Sequence, residues 1–335
     1  MSWLPEQDDT EAKNVAGPGW SMWSGEELLA RRKPLFSHSV VALGTFDGVH
    51  LGHQEIFAKT VEISRDRGWC SVAFTFDRHP AATLAPERKP RLLTSFERRL
   101  ELILETGVSH VAVVRFDTAF SRVPAEEFVE KVLCGALGAR AIVVGYNFRF
   151  GFEARGNVDL LKECSAKLGY DLTVIQPVAC SGQGVSSTKI RALVAQGDVE
   201  GARNLLGRPF SLEGVVVSGD ARGRALGYPT ANLSVDPELV LPGDGVYVTQ
   251  ANFSGQSRGT QPHQALTVIG TRPSFGGGER TVETFLLDFE GNLYGKKLRI
   301  DFLKRLRGII RFERQEELVR QIEEDVAQAR AYFGL

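Results

Sequence analysis

Cysteine is scarce: Cys70, Cys134, Cys164 and Cys180 are the only four in 335 residues, widely spaced and without a CxxC pair. That spacing excludes a zinc cluster and a dense disulfide framework and fits a reducing compartment. Neither sign of charge is in excess, with 40 Lys plus Arg against 41 Asp plus Glu and a formal net charge of -1. No global field therefore draws the chain to nucleic acid or anionic lipid, and phosphate chemistry must be local. Long apolar runs are missing: none approaches the ~20 residues of a membrane span. The first 38 residues hold acids and prolines where a secretion signal needs an apolar stretch, so a cytoplasmic protein is expected. No Walker A sequence occurs. Gly291-Asn292-Leu293-Tyr294-Gly295-Lys296-Lys297 comes closest, with the wrong spacing and no Ser or Thr after the lysine, which excludes an ordinary P-loop kinase. Internal repeats and low-complexity tracts are also lacking.

What is present is enough apolar sequence, 43%, for a core in each of two domains. Residues 1–37 are polar, with scattered Trp3, Trp20 and Trp23 and a Gly17-Pro18-Gly19 break, and read as a loosely ordered extension. From there to about Gln176, β-type runs (Val40 to Leu43, Val72 to Phe76, His110 to Phe116, Ala141 to Val144, Leu172 to Gln176) alternate with helical patterns. Phe96, Leu100, Ile103 and Leu104 form one such pattern, and Phe128, Val129, Val132 and Leu133 another. Alternation of this kind predicts an α/β domain with a parallel sheet over 38–206. A helical stretch from Ser187 to Leu206, broken at Gly197-Asp198, ends at Gly207-Arg208-Pro209, where the boundary is placed. Over 207–335, short β-type runs separated by Gly, Pro and Asp clusters predict a small antiparallel all-β barrel. It closes with a helix whose apolar stripe is Leu318, Ile322, Val326 and Ala329.

The densest signal follows the first strand of the α/β domain: Leu43-Gly44-Thr45-Phe46-Asp47-Gly48-Val49-His50-Leu51-Gly52-His53. Gly44, Gly48 and Gly52 let backbone approach a phosphate closely, and the helix that follows begins with unpaired N–H groups and the positive end of its dipole. His50 and His53 then point at the same anion. They are the candidate catalytic residues, able to neutralise charge on an α-phosphate and a leaving pyrophosphate. Capping or metal binding is the plainer role for two such histidines, but no nearby cysteine or third spaced histidine completes a metal set. A second helix start, Val185-Ser186-Ser187-Thr188-Lys189-Ile190-Arg191, offers capping hydroxyls and phosphate-binding cations. It also matches SxxK of penicillin-binding enzymes, whose companion SDN and KTG motifs are missing.

In the C-terminal half, Gly214 to Asn232 interleaves Gly219, Gly223 and Gly227 with Arg222 and Arg224 ahead of Pro229-Thr230-Ala231-Asn232, a loop able to wrap a phosphate tail. Thr230 and Asn232 supply hard oxygen ligands suited to Mg²⁺, a metal that retains waters and shares substrate phosphates. On the run Thr281 to Phe289, Glu283 is either a solvated strand residue or a base for an attacking hydroxyl.

GTFDGVHLGHQ, TFDRHP (Thr75 to Pro80), VVGYNFRFG (Val143 to Gly151) and SSTKIR resemble the adenylyltransferase module of prokaryotic bifunctional FAD synthetases, a branch of the HxGH nucleotidylyltransferases. The resemblance implies a Rossmann-like fold and nucleotide roles for Gly44, Phe46, His50, His53, Ser187 and Arg191. Asn147 and the segment around His79 would line the flavin side. GRALGYPTAN, PGDGVY (Pro242 to Tyr247), IGTRPSF (Ile269 to Phe275), VETFLLDF, LYG and FERQEELVRQIEEDV resemble riboflavin kinase. This second resemblance implies a six-stranded Greek-key barrel, Thr230 and Asn232 at Mg-ATP, and Glu283 as the base for the ribityl hydroxyl. Departures are Arg78, Val185, Val268 and Ser274, none at a proposed catalytic group. The expected substrates and products are riboflavin, FMN, FAD and ATP. The rival expectations are a chain with only the kinase active, or a non-catalytic flavin- or nucleotide-binding regulator. Self-association is left open.

Overall fold

The computed structural model describes residues 19–180, 182–219, 223, 226–253, 261–271 and 280–335. Contacts divide the chain into two compact units. One holds the described residues up to Gly44, with Ile56–Thr83 and Ile103–Val174; the other holds Thr45–Glu55, Leu84–Leu102 and Ile175–Leu335.

The first unit is built on a six-stranded sheet of β1 (Gly19–Trp23), β2 (Ser39–Leu43), β3 (Cys70–Phe76), β4 (His110–Val114), β5 (Ala139–Gly145) and β6 (Asp171–Ile175), in the order β1-β4-β3-β2-β5-β6. The pairs β1/β4, β3/β4, β2/β3 and β2/β5 are parallel. Strands β2 and β4 are buried at every residue, as expected where helices cover both faces of a parallel sheet and the sequence runs apolar rather than alternating. Chain order runs outward from β2 through β3 to β4 and then returns to β5 on the other side. The topological switch point, where open α/β sheets bind ligands beyond the carboxyl ends of the strands, therefore lies between β2 and β5. The chain leaves β2 at Gly44 and β5 at Gly145.

The N-terminal expectation needs correction. Gly19–Trp23 is not loose but an edge strand in register with His110 to Val114. Gly25–Leu29 is a helix with a capping box, in which Ser24 Oγ accepts the Glu27 N–H and the Glu27 carboxylate accepts the Ser24 N–H. Leu28 and Phe36 lie buried in the core of this unit. The physical reason is that an unpaired edge at β4 and an apolar pocket outweigh the polar composition of the segment. Residues 1–18 of the expected extension lie outside the described residues.

In the second unit, a two-residue pair, β7 (Ala179–Cys180) and β8 (Gln183–Gly184), precedes the helices Ser187–Gln196 and Val199–Leu206. A closed barrel follows, made of β9 (Phe210–Val217), β10 (Ala231–Val235), β11 (Gly245–Phe253), β12 (His263–Thr271), β13 (Arg280–Leu286) and β14 (Lys297–Arg307) in the order β10-β13-β12-β11-β14-β9. Every pairing is antiparallel, and β9 with β10 closes the ring. Burial along β9 and β13 alternates, inward residues such as Phe210, Leu212 and Val282 filling the interior. The terminal helix Gln315–Phe333 packs Val326, Ala329 and Phe333 against Val246, Val248 and Leu303. Asp325 is buried on the same helix, so the inward stripe is not purely apolar.

The division of the chain differs from the boundary expected at 206/207. Ile190, Val194, Leu205 and Leu206 share one core with Phe210, Leu212 and Phe302, because these helices turn their apolar faces toward the barrel.

Candidate active sites

The histidine loop is a strained turn held by side chains distant in sequence. Phe46, Gly48 and Val49 all have positive φ (52°, 81° and 39°), a region costly for a β-branched residue such as Val49. Gly48 has a left-handed φ of 81° that favours glycine, and a Cβ there would also crowd Leu93, 2.7 Å from its Cδ1 and 3.1 Å from its Cβ. The turn delivers His50 and His53 with their rings stacked, centroids 3.6 Å apart and planes 15° apart. The His53 N–H donates to His50 Nδ1 at 3.3 Å and to the His50 carbonyl at 2.8 Å, which places the proton of a neutral His50 on Nε2. Phe46 is wholly buried and meets the His53 ring edge-on at 5.3 Å, so it seats His53. Gly52 leaves room for His50, since a Cβ there would lie 3.2 Å from His50 Cε1.

Burial depresses the His50 pKa to about 4, with the nearby Arg208 and Arg191 charges adding to it and a backbone hydrogen bond opposing it. Burial also drives His53 well below the usual histidine range, helped by His50, Arg208 and Arg99. Both rings are thus neutral N–H donors at physiological pH. His53 Nδ1 and Arg191 Nε are buried without a hydrogen-bond partner among the described residues, as expected of groups aimed at a ligand.

Asp47, which sequence reasoning did not single out, joins the two N-terminal motifs. Its carboxylate accepts the N–H groups of Leu93 (2.9 Å) and Thr94 (3.3 Å) and the Arg191 guanidinium (3.2 Å), and its carbonyl accepts the Ser187 hydroxyl at 3.0 Å. Ser186 caps the helix that carries Ser187 and Arg191 by accepting the Lys189 N–H. Thr94, Arg99 and Arg208 were also missed. Gly48 N–H donates to Thr94 Oγ1 at 3.4 Å, Arg99 Nη1 to the Thr45 carbonyl at 3.0 Å, and Arg208 to the Gly48 and Val49 carbonyls. These partners are 46 residues or more from the loop, so no local pattern marked them.

In the first unit, Asn147 lies exposed on the turn after β5, its Oδ1 3.7 Å from where a Cβ on Gly145 would be. His79 Nδ1 accepts the Ala81 N–H at 3.1 Å.

On the barrel, Asn232 of β10 stands directly opposite Glu283 of β13, and Glu283 is also opposite Val268 of β12. Thr230 Oγ1 lies 3.4 Å from Glu283 Oε2, and Thr281 Oγ1 lies 3.5 Å from Glu283 Oε1. The glycines crowd these groups closely. A Cβ on Gly219 would strike Asn232 Nδ2 at 2.3 Å, and one on Gly223 would lie 2.3 Å from the Tyr228 carbonyl and 3.3 Å from Thr230 Oγ1. Gly227 has φ 86° in the turn that leads to Thr230. The structure thus brings Gly219, Thr230, Asn232 and Glu283 together. Arg222, with Arg224, Ser274 and most of the IGTRPSF segment, lies outside the described residues. Among the described residues no group of three or more His, Cys, Asp or Glu could hold a metal ion. A cation here would draw on Thr230 and Asn232 oxygens, and the rest of its shell would come from phosphates and water.

Two family models match the chain, FAD synthetase over residues 33–189 and riboflavin kinase over 206–333. The bifunctional riboflavin kinase/FMN adenylyltransferase of Listeria monocytogenes is 33% identical, covering 89% of this chain and 93% of its own length. The protein of the same description from Escherichia coli K12 is 35% identical, covering 88% and 93%. A solved structure described as a macrolide-efflux protein from Streptococcus pneumoniae, 30% identical, covers 92% of this chain and 98% of its own with TM-score 0.82. Among the described residues no helix is long and apolar enough to cross a membrane. With both models matched in order and relatives covered almost end to end, the chain belongs to the bifunctional riboflavin kinase/FMN adenylyltransferases.

Proposed function

We propose that the two reactions of the family, phosphorylation of riboflavin to FMN and adenylyl transfer to FMN giving FAD and pyrophosphate, run at separate sites, the first on the barrel (207–335) and the second at the histidine loop (38–206). The observation that carries the reading is the stacked, neutral His50/His53 pair tied through Asp47 to the helix of Ser187 and Arg191.

In adenylyl transfer, a phosphate oxygen of FMN attacks the α-phosphorus of ATP. A P–O bond forms there, and the bond to the bridging oxygen breaks with its electron pair leaving on pyrophosphate. Neutral His50, donating from Nε2, and His53 stabilise charge on the phosphoryl oxygens, while Lys189 and Arg191 take the charge of the leaving group. The glycines at 44, 48 and 52 admit the triphosphate close to backbone, and Asn147 with the His79 segment meets the flavin. In the kinase reaction, the Glu283 carboxylate takes the proton of the ribityl hydroxyl as its oxygen attacks the γ-phosphorus and ADP leaves. Gly219, Arg222 and Gly227 cradle the nucleotide. Mg²⁺, held by Thr230 and Asn232, would neutralise phosphate charge.

A reducing cytoplasm completes the reading, supported by four cysteines that are all free thiols. The test is to incubate the protein with riboflavin, ATP and magnesium and separate the flavins. His53→Ala should abolish FAD while FMN accumulates, and Glu283→Ala should stop FMN formation while supplied FMN is still converted to FAD. Equal loss of both activities in a soluble variant would refute the division of labour. A regulator without turnover would bind flavin and release neither ADP nor pyrophosphate.

A further inference from the structure

The turn that aims the two histidines is gripped from a segment matched by the kinase model rather than the synthetase model. We propose that Arg208 is a positioning residue for adenylyl transfer, its guanidinium fixing the backbone of the histidine loop through two successive carbonyls. Arg208 Nη2 donates to the Gly48 carbonyl at 2.7 Å and Nη1 to the Val49 carbonyl at 3.2 Å. Those carbonyls belong to the peptides that link Gly48 to Val49 and Val49 to His50. Pinning them sets the direction from which the His50 ring leaves the chain. The turn needs an outside hold because Phe46 and Val49 occupy left-handed backbone, which side chains adopt only under constraint.

The surroundings of Arg208 serve the same grip. Gln54 Nε2 donates to the Val49 carbonyl and to the Leu206 carbonyl, each at 2.9 Å, tying the loop to the residues just before Arg208. Gly207, with φ 73°, permits the approach, because a Cβ there would lie 2.7 Å from Leu51 Cδ2. A rigid two-pronged guanidinium can span adjacent carbonyls in one geometry, whereas an ammonium is a single point donor. Among the described residues, the cations acting on the histidine pair are Arg208, Arg191 and Arg99, and Arg191 is itself paired with the Asp47 carboxylate. Removing Arg208 therefore withdraws one of the cations that disfavour protonated imidazole. By this account the 206–333 segment supplies part of the adenylyltransferase site.

The inference rests on assigning adenylyl transfer to His50 and His53. The experiment uses the full chain with Arg208→Lys and Arg208→Ala, assaying riboflavin to FMN and FMN to FAD in parallel, with thermal unfolding of each variant. Both variants are expected to stay folded with kinase parameters intact, while kcat for FAD formation falls roughly 10–100-fold. Free guanidinium should restore part of the rate in Arg208→Ala. In that variant the acid limb of the rate profile should also move to higher pH, and in Arg208→Lys, which retains the charge, it should stay in place. The inference is overturned if FAD formation stays within about twofold of the parent in both variants. It is also overturned if both reactions fall together, if the variants unfold, or if the loss comes without guanidinium rescue and without a shifted limb. His53→Ala separates the two levels. Undiminished FAD formation there would sink the site assignment itself, whereas an inactive His53→Ala beside unaffected Arg208→Lys and Arg208→Ala variants would sink the Arg208 role alone.

Discussion

The carboxylate of Asp47 and the guanidinium of Arg191, 144 residues apart in sequence, meet at 3.2 Å with the Asp47 side chain only 2% exposed. Through this pair the first motif of the adenylyltransferase module, which carries the histidines, becomes mechanically continuous with the last, which carries Arg191. The two N–H groups of Leu93 and Thr94 complete the shell of the carboxylate.

Asp47→Asn should therefore lower FAD formation about 10–100-fold and leave riboflavin phosphorylation near the parent rate. An amide has no charge and one acceptor oxygen where the carboxylate has two. It cannot serve the backbone N–H groups of Leu93 and Thr94 and also hold the Arg191 guanidinium as an ion pair, and the loop loses its brace. Parallel rate measurements check this, and unchanged FAD formation would mean that the Asp47–Arg191 contact does not organise the site.

The groups proposed to carry chemistry could be picked out because each lies in a short local pattern. Glycines and histidines at fixed spacing mark a turn into a helix, and Pro-Thr-Ala-Asn and Glu283 lie on or beside alternating strands. What braces them was not legible. Arg99, Arg208 and Thr94 act through backbone groups 46–160 residues away, and a backbone carbonyl has the same sequence signature everywhere. The fold shows the same division. Five barrel strands stood out by apolar runs, whereas β10, Ala-Asn-Leu-Ser-Val, is too polar to do so. Strand β1 was read as tail, although Ser24 and Glu27 carried the spacing of a capping box.

His110 gives a pH prediction. The residue is 3% exposed, its ring packs near Trp23 and Phe36, and among the described residues neither ring nitrogen has a hydrogen-bond partner. Burial lowers its pKa from 6.5 to about 4. The folded state thus disfavours protonation, so the contribution is complete above the unfolded value near 6.5 and is lost as pH falls toward 4, amounting to about 3 kcal/mol. His110→Leu should be neutral or stabilising at pH 7.5, because two unsatisfied polar atoms leave the core. It should also flatten the fall in unfolding temperature between pH 6.5 and 4. A variant as acid-sensitive as the parent would rule His110 out.

Inside the barrel, Thr267 Oγ1 hydrogen-bonds both Thr249 Oγ1 and Thr284 Oγ1 at 2.9 Å, all three side chains being fully buried. Thr267→Val removes the middle link and strands two hydroxyls, which should cost about 1–3 kcal/mol. Replacing all three threonines by valine removes every orphan at once and should recover most of that loss. Denaturant unfolding of the single and triple variants checks the account; a triple variant much weaker than the single one would contradict it.

The terminal helix is fastened to β14 by charge as well as by apolar contact. Arg307 Nε donates to Asp325 Oδ1 at 2.9 Å and Nη2 to Oδ2 at 2.6 Å, with Asp325 3% exposed. Gln321 adds a third donor at 3.3 Å. Desolvating both ions offsets much of their attraction, so the pair itself adds little net stability, yet breaking it leaves a guanidinium without its counter-charge at a cost of about 3–5 kcal/mol. Asp325→Ala should accordingly destabilise far more than its size implies, and the loss should persist in high salt because a buried pair is poorly screened. The double replacement Arg307→Met with Asp325→Leu should return most of the stability, since apolar side chains of similar volume need no partner. Unfolding measurements on the two singles and the double form the cycle that decides this. Additive losses would show that the helix is held by its apolar face alone.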